Sequence, residues 1–164
     1  MRRLIMLTIS VLALSSVMAN TLQAGANFIT GPMASLSTTT GDYTVSFKEA
    51  GLGNTPVTYT LTAATETFTF ECFNKGGNKP QGDPNGISFS NVSTQTTLTP
   101  RNGHITGSIS LIPQASAAVS CHGSGLLLFL TEVDYEGVTF TDTTNGITVA
   151  MPSLSASGLK VGPF

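Results

Sequence analysis

Threonine alternates with apolar residues along much of the chain, and this two-residue period constrains the fold more than any other feature. Val57, Tyr59, Leu61 and Ala63 occupy every second position, with threonine between them. Successive side chains of a β-strand point to opposite faces, so the pattern predicts a strand with one buried face. Threonine is β-branched and suits the exposed face of such a strand.

The same alternation predicts further strands, with turn sequences between them. They fall at residues 43–47, 67–72, 87–98, 105–111, 126–140 and 147–149. Beyond residue 20 the chain shows no clear helical period, so we expect an all-β protein, an antiparallel β-sandwich of immunoglobulin-like or jelly-roll-like topology. Residues 87–98 and 105–111 are expected to form a hairpin, and Gly137 to mark a bulge.

The N-terminus has the pattern of a secretory signal peptide. Arg2 and Arg3 precede an apolar run, which ends in the small-residue sequence Val17-Met18-Ala19. This pattern predicts export with cleavage after Ala19, and a retained membrane anchor is the alternative. The expected organisation is a signal peptide at 1–19, an N-terminal arm or edge strand at 20–41, and a sandwich domain at 42–164.

Charge argues against several classes of partner. Without residues 1–19 the chain has five basic and nine acidic residues, a formal charge of −4. An acidic surface repels nucleic-acid phosphates and anionic lipids. We therefore expect no nucleic-acid partner, and no membrane partner after cleavage.

Aliphatic and aromatic content is sufficient for a packed core, with a mean hydropathy of +0.21.

The chain has two cysteines, Cys72 and Cys121. In an exported protein an isolated pair predicts one intramolecular disulfide. A metal site that combines them with His104 and His122 is the alternative, but the spacing fits no common zinc pattern. We therefore expect no metal at the cysteines.

Residues 74–86 contain four glycines and two prolines, a composition that predicts a long loop. The cysteine just before it would tether this loop, so its ordering on binding a ligand would cost less entropy. It is the predicted ligand-binding site, and a loop without function is the alternative. The candidate residues are Asn74, Lys75, Asn78, Lys79, Asp83 and Asn85.

Other candidate chemistry is weaker, and no catalytic residue is predicted. Glu132, Asp134 and Glu136 share one strand face, a pattern open to catalysis, calcium binding or simple solubility. Calcium is the one weak cofactor candidate, through Asp83 and Asn85 with Asp142 and Asn145, if their turns meet. His122-Gly123-Ser124-Gly125 lacks the spacing of a nucleophile elbow. Asn91-Val92-Ser93 is a glycosylation sequon.

Three segments carry a resemblance to a known family: Cys72–Pro80, Arg101–Ser108, and Val133–Tyr135 taken with Asp142–Gly146. They resemble small secreted β-rich proteins of actinobacteria and fungi that have no established activity. The resemblance covers roughly residues 45–152. It implies a secreted β-rich domain and no particular catalytic residue.

These observations predict a secreted β-sandwich protein that acts as a non-catalytic binding or surface-interaction module. A glycan or a surface protein is the expected partner. The alternatives are an extracellular hydrolase with an unrecognised carboxylate site and a structural surface protein that self-associates through its edge strands.

Overall fold

The protein is described from a computed structural model that covers residues 25–77, 80–114 and 119–164, without the side chains of residues 80–85. The expected signal peptide at residues 1–19 lies outside these ranges. No helix in the described part of the chain is long and apolar enough to cross a membrane.

Nine β-strands make up the described structure, and all their pairings are antiparallel. In chain order they are β1 Asn27–Leu36, β2 Tyr43–Ala50, β3 Val57–Asn74, β4 Pro80–Leu98, β5 His104–Leu111, β6 Leu126–Glu136, β7 Thr139–Asp142, β8 Ile147–Ala150 and β9 Leu154–Val161. The predicted all-β antiparallel fold is thereby confirmed. Its immunoglobulin-like or jelly-roll-like topology stays a prediction.

The strands form a three-stranded and a six-stranded sheet. The smaller sheet has the order β1-β2-β5, so β1 is one of its edges. For residues 20–41 the sequence had predicted either an arm or an edge strand, and β1 is an edge strand. The larger sheet is centred on β3. On one side β3 pairs with β4, and on the other it pairs first with β7 and then with β6. β8 extends the sheet beyond β7, and β9 extends it beyond β6.

The two sheets share one apolar core. Tyr43 and Phe47 project from β2, and Tyr135 and Phe140 project from the larger sheet, all of them buried. The Tyr43 and Tyr135 ring centroids are 5.3 Å apart, and those of Phe47 and Phe140 are 4.8 Å apart. The period-two pattern therefore buries the residues that it predicts to be inside.

β3 and β4 reverse their inward and outward faces at the same level. In β3 the buried positions change from odd to even numbers at Ala64, opposite Asn91 of β4, which has φ of 53°. Gly137, the expected bulge, lies beside Ala64 between β6 and β7 with φ of 59°. The reversal joins two predicted strands, 57–63 and 67–72, into one strand of 18 residues.

The long loop predicted at residues 74–86 is wrong over most of its length. β4 begins at Pro80, which pairs with Phe73, and Asn85 pairs with Phe70. Among the described strands β4 pairs only with β3, so it is an edge strand, where proline and glycine are tolerated because half of the amide groups need no partner. The end of β3 is the pairing partner of residues 80–85, and amino-acid composition alone does not indicate such a partner.

The predicted hairpin between residues 87–98 and 105–111 is also wrong. The turn is present, with positive φ at Asn102 and Gly103, but β4 belongs to the larger sheet and β5 pairs with β2. Alternation specifies the buried face of a strand and not its partner. A Cβ at Gly107 would lie 2.6 Å from Leu98 Cδ1, which shows how closely the end of β4 packs on the middle of β5.

The predicted disulfide between Cys72 and Cys121 is confirmed. The two Cα atoms are 5.7 Å apart, and the described chain holds no free cysteine. The bond ties the end of β3 to the segment before β6. It also excludes both thiolates from the alternative metal site.

Candidate functional site

The outer face of the larger sheet carries two matched rows of polar side chains across β3, β6 and β9. Asp134 is paired with Thr67 on one side and Ser155 on the other. Glu132 is paired in the same way with Thr69 and Ser157. Each row is thus a carboxylate between two hydroxyl groups, and the rows lie about 7 Å apart along the strands.

A shallow groove runs over these rows. One part of it has a volume of about 380 Å³ and is lined by both carboxylates and all four hydroxyl residues. An adjoining part of about 630 Å³ shares Thr69 and Glu132 with it and extends to Glu71, Phe73 and Lys160. Volumes of this order are typical of small-molecule sites.

A bulge in β6 aims the carboxylates outward. Thr69 pairs with Glu132 but the next residue, Phe70, pairs with Leu130, so Thr131 is the additional residue. The Thr131 hydroxyl donates to the Thr69 carbonyl at 3.2 Å, and the Thr69 hydroxyl donates to Glu132 Oε2 at 3.1 Å. The predicted common face of Glu132, Asp134 and Glu136 is present. However, β6 pairs on both sides, so these charges do not protect a sheet edge.

One end of the groove is aromatic and cationic. The rings of Phe73 and Phe129 meet edge to face with centroids 5.3 Å apart. Lys160 Nζ lies 5.0 Å from the Phe73 centroid and 5.4 Å from that of Phe129, and it also donates a hydrogen bond to the Gly77 carbonyl. These contacts hold the Lys160 ammonium group at this end of the groove.

The structure distributes the residues of the predicted loop site over two strands and a turn. Asn74 ends β3 and Lys75 lies in the turn that follows, both exposed. Asp83 and Asn85 belong to β4, but their side chains lie outside the described part, as do Asn78 and Lys79 altogether. The turn reaches the groove through Gly77, which lines its wider part.

The turns of the calcium hypothesis lie far apart. Asn85 pairs with Phe70 and Asp142 pairs with Tyr59, eleven residues away on the same strand. Asp142 instead closes its own turn: Oδ1 accepts bonds from the Thr144 and Asn145 amides at 2.8 and 3.0 Å. Among the described residues no group of three histidine, cysteine or acidic side chains is arranged to hold a metal ion.

Two buried glutamates, Glu49 and Glu66, were not predicted from the sequence. Burial raises the pKa of Glu49 to about 7; a hydrogen bond from Tyr59 opposes this shift, and the Asp142 carboxylate adds to it. Burial alone raises the pKa of Glu66 to about 7. The available signal was the alternation itself, because Glu49 continues the inward series from Tyr43 and Glu66 precedes Phe68 on its inward face.

Comparison with known proteins gives no functional assignment. No protein-family model matches the chain. A search of curated proteins found no significant relative.

Proposed function

We propose that the protein is a secreted, non-catalytic binding module that holds a neutral glycan in the groove on the outer face of its larger sheet. The observation that carries the proposal is the pair of hydroxyl–carboxylate–hydroxyl rows centred on Asp134 and Glu132. Threonine and serine hydroxyls donate and accept hydrogen bonds, and carboxylates accept them. Sugar hydroxyl groups offer the complementary donors and acceptors at short intervals.

The charge of the groove favours a neutral ligand, and the rigidity of its strands favours binding. Among the described residues, Glu71, Glu132 and Asp134 line the groove, against one ammonium group at Lys160. This excess of negative charge disfavours an acidic glycan, whereas neutral hydroxyl groups form charge-assisted bonds with carboxylates. β6 is hydrogen-bonded to β3 on one side and to β9 on the other, so the rows need little ordering when a ligand binds.

Secretion is the second part of the proposal. The disulfide indicates an oxidising setting. The predicted signal peptide at residues 1–19 would direct the chain to export. Cleavage after Ala19 would make Asn20 the N-terminal residue of the secreted protein. N-terminal sequencing of material from the culture medium tests this, and a membrane-bound protein that retains Met1 would contradict it.

The binding proposal is tested with a panel of neutral and acidic glycans and the secreted protein. Neutral glycans should give saturable binding. Glu132→Gln and Asp134→Asn should each weaken it at least tenfold, because each removes a charged acceptor. Glu136→Gln is the matched control, since Glu136 lies on the same face of β6 outside the groove. Equal binding by all three variants would place the site elsewhere, and no binding by folded protein would reject the proposal.

A hydrolase is the second candidate because two carboxylates line one groove. Positions two apart on a strand are separated by about 7 Å, within the range of carboxylate pairs in glycoside hydrolases. Incubation with each bound glycan, followed by measurement of new reducing ends, separates the two functions. Turnover that Glu132→Gln abolishes would favour the hydrolase.

Self-association through an edge strand has one supporting observation. β4 pairs only with β3 among the described strands, and its residues 86–98 carry no charge. Natural edge strands commonly carry charges that prevent further pairing. Size that increases with protein concentration in light scattering, and that Ser90→Lys reverses, would favour this third candidate.

A further inference from the structure

A second, smaller cavity lies on the inner side of the larger sheet, away from the proposed glycan groove. It has a volume of about 80 Å³ and opens between β3, β4 and the segment after β5. The residues that line it are mostly apolar, with one carboxyl group among them: Glu66, Phe68, Phe89, Val92, Ile112 and Gln114. Ile112 is 62% exposed, so the cavity has a hydrophobic rim at the surface.

Burial leaves one carboxyl oxygen of Glu66 without a hydrogen-bond partner among the described residues. Its side chain is 3% exposed, and its Oε1 atom is buried without a hydrogen bond. The residue is paired with Phe89 on β4 and with Tyr135 on β6. The Tyr135 hydroxyl donates to the Gly41 carbonyl at 2.9 Å, so its one proton is committed elsewhere. A buried acceptor left in this state destabilises the folded protein, and more so if it is charged.

We propose that this cavity binds the end of a primary alkylammonium group, with Glu66 as its counter-ion. An ammonium group supplies both the positive charge and the hydrogen-bond donor that Oε1 lacks. The alkyl chain would lie against Val92 and Ile112. The rings of Phe68 and Phe89, with centroids 5.8 Å apart, line the same cavity. The same group occurs on free alkylamines and on the lysine side chains of proteins.

The size of the cavity limits the ligand. An apolar cavity of about 150 Å³ holds benzene, so the smaller volume here suits a short alkyl chain better than a ring. Binding should also depend on pH. Among the described residues, Tyr135 is the titratable group paired with Glu66, with Asp42 close to Tyr135, and the other residues that line the cavity do not ionise. A bound cation favours the carboxylate form, so affinity should increase from pH 5 to pH 8.

The test is an NMR titration of isotope-labelled secreted protein with n-butylammonium. Saturable shifts are expected at the Val92 and Ile112 methyl groups and should differ from any shifts on the outer groove. n-Butanol, which has the same chain and no charge, should bind at least tenfold more weakly. Glu66→Gln should lose at least tenfold in affinity, and Glu136→Gln should match the natural protein. Equal binding of butanol, or full affinity in folded Glu66→Gln protein, would overturn the proposal.

Two further measurements keep the test decisive. If Glu66→Gln does not fold, the natural protein alone should bind butylammonium at least tenfold more tightly at pH 8 than at pH 5; equal affinities would overturn the proposal. A blocked tripeptide with a central lysine distinguishes the source of the ligand. Binding of the peptide as well as butylammonium supports a partner's lysine, and binding of butylammonium alone supports a free amine. Binding of neither rejects the site.

Discussion

The Tyr59 hydroxyl donates a hydrogen bond of 2.6 Å to Glu49 Oε2, and both side chains are completely buried. Tyr59 belongs to the larger sheet and Glu49 to the smaller one, so the bond joins the two sheets across the core. Asp142 adds a second carboxyl group on the Glu49 side. The other oxygen of Glu49, Oε1, has no hydrogen-bond partner among the described residues, so the carboxyl group depends on the bond from Tyr59.

Removing the Tyr59 hydroxyl should therefore destabilise the protein. Tyr59→Phe leaves Glu49 Oε2 buried without its donor, and we expect a loss of about 1–3 kcal/mol in the free energy of unfolding. Tyr43→Phe is the matched control, because that buried hydroxyl donates to a neutral carbonyl, that of Pro152, at 2.7 Å. Urea unfolding of both variants measures the difference. A smaller loss for Tyr59→Phe than for Tyr43→Phe would contradict the proposed importance of the carboxyl partner.

Stability should decrease as pH rises from about 4.5 to about 7. Burial raises the pKa of Glu49 and Glu66 from 4.5 to about 7, so in this interval the folded protein binds more protons than the unfolded chain. The two groups favour folding fully below pH 4.5, and this contribution is lost as pH rises through 7. Each accounts for at most roughly 3 kcal/mol.

Urea unfolding at pH 4.5, 6 and 8 measures this dependence. Glu49→Gln and Glu66→Gln should each flatten the curve, because a glutamine cannot ionise. Glu136→Gln, at an exposed position, should leave the curve unchanged. A stability that increases over this interval and is unaffected by either buried substitution would show that neither glutamate is protonated in the folded protein.

The sequence predicted faces better than partners. Alternation placed Tyr43, Phe68 and Ile109 inside because the side chain of every second residue has to point the same way. It could not place β4 and β5 in different sheets, since two strands with the same pattern can pair with several neighbours. β9 was missed because Gly158, with φ of 71°, interrupts its alternation.

The candidate site was predictable only in part for the same reason: alternation specifies strand faces and not strand partners. The common face of Glu132 and Asp134 was predictable from their spacing on one strand. Their hydroxyl neighbours come from β3 and β9, which only strand pairing brings together. Glycine and proline at residues 80–86 indicated a loop because composition alone does not show that a long partner strand is available.

Loss of the disulfide should weaken the fold substantially. Cys72 and Cys121 are 49 residues apart in sequence, and closing a loop of this length stabilises a protein by about 4 kcal/mol in the chain-entropy model. The double variant Cys72→Ala, Cys121→Ala should show this loss in urea unfolding. Intact mass of the natural protein should increase by two hydrogens on reduction. Thiols that react in the folded, unreduced protein would contradict the bond.

Gly137 should be the glycine least tolerant of substitution among three test positions. It has φ of 59°, and an added Cβ would lie 2.7 Å from the Ala64 Cβ, so Gly137→Ala meets both backbone strain and a collision at the level where β3 reverses its faces. Gly146→Ala meets strain alone, because φ is 72° and no atom lies within 4 Å of the added Cβ. Gly53→Ala meets neither.

The three alanine variants should therefore lose stability in the order Gly137, Gly146, Gly53. We expect about 1 kcal/mol for the strained backbone at Gly146, clearly more at Gly137, and at Gly53 no loss or a small gain from the reduced entropy of the unfolded chain. Urea midpoints at one fixed pH measure the series. Equal midpoints for Gly137→Ala and Gly146→Ala would show that Ala64 gives way without cost, and that the close approach of β3 to Gly137 does not constrain the sheet.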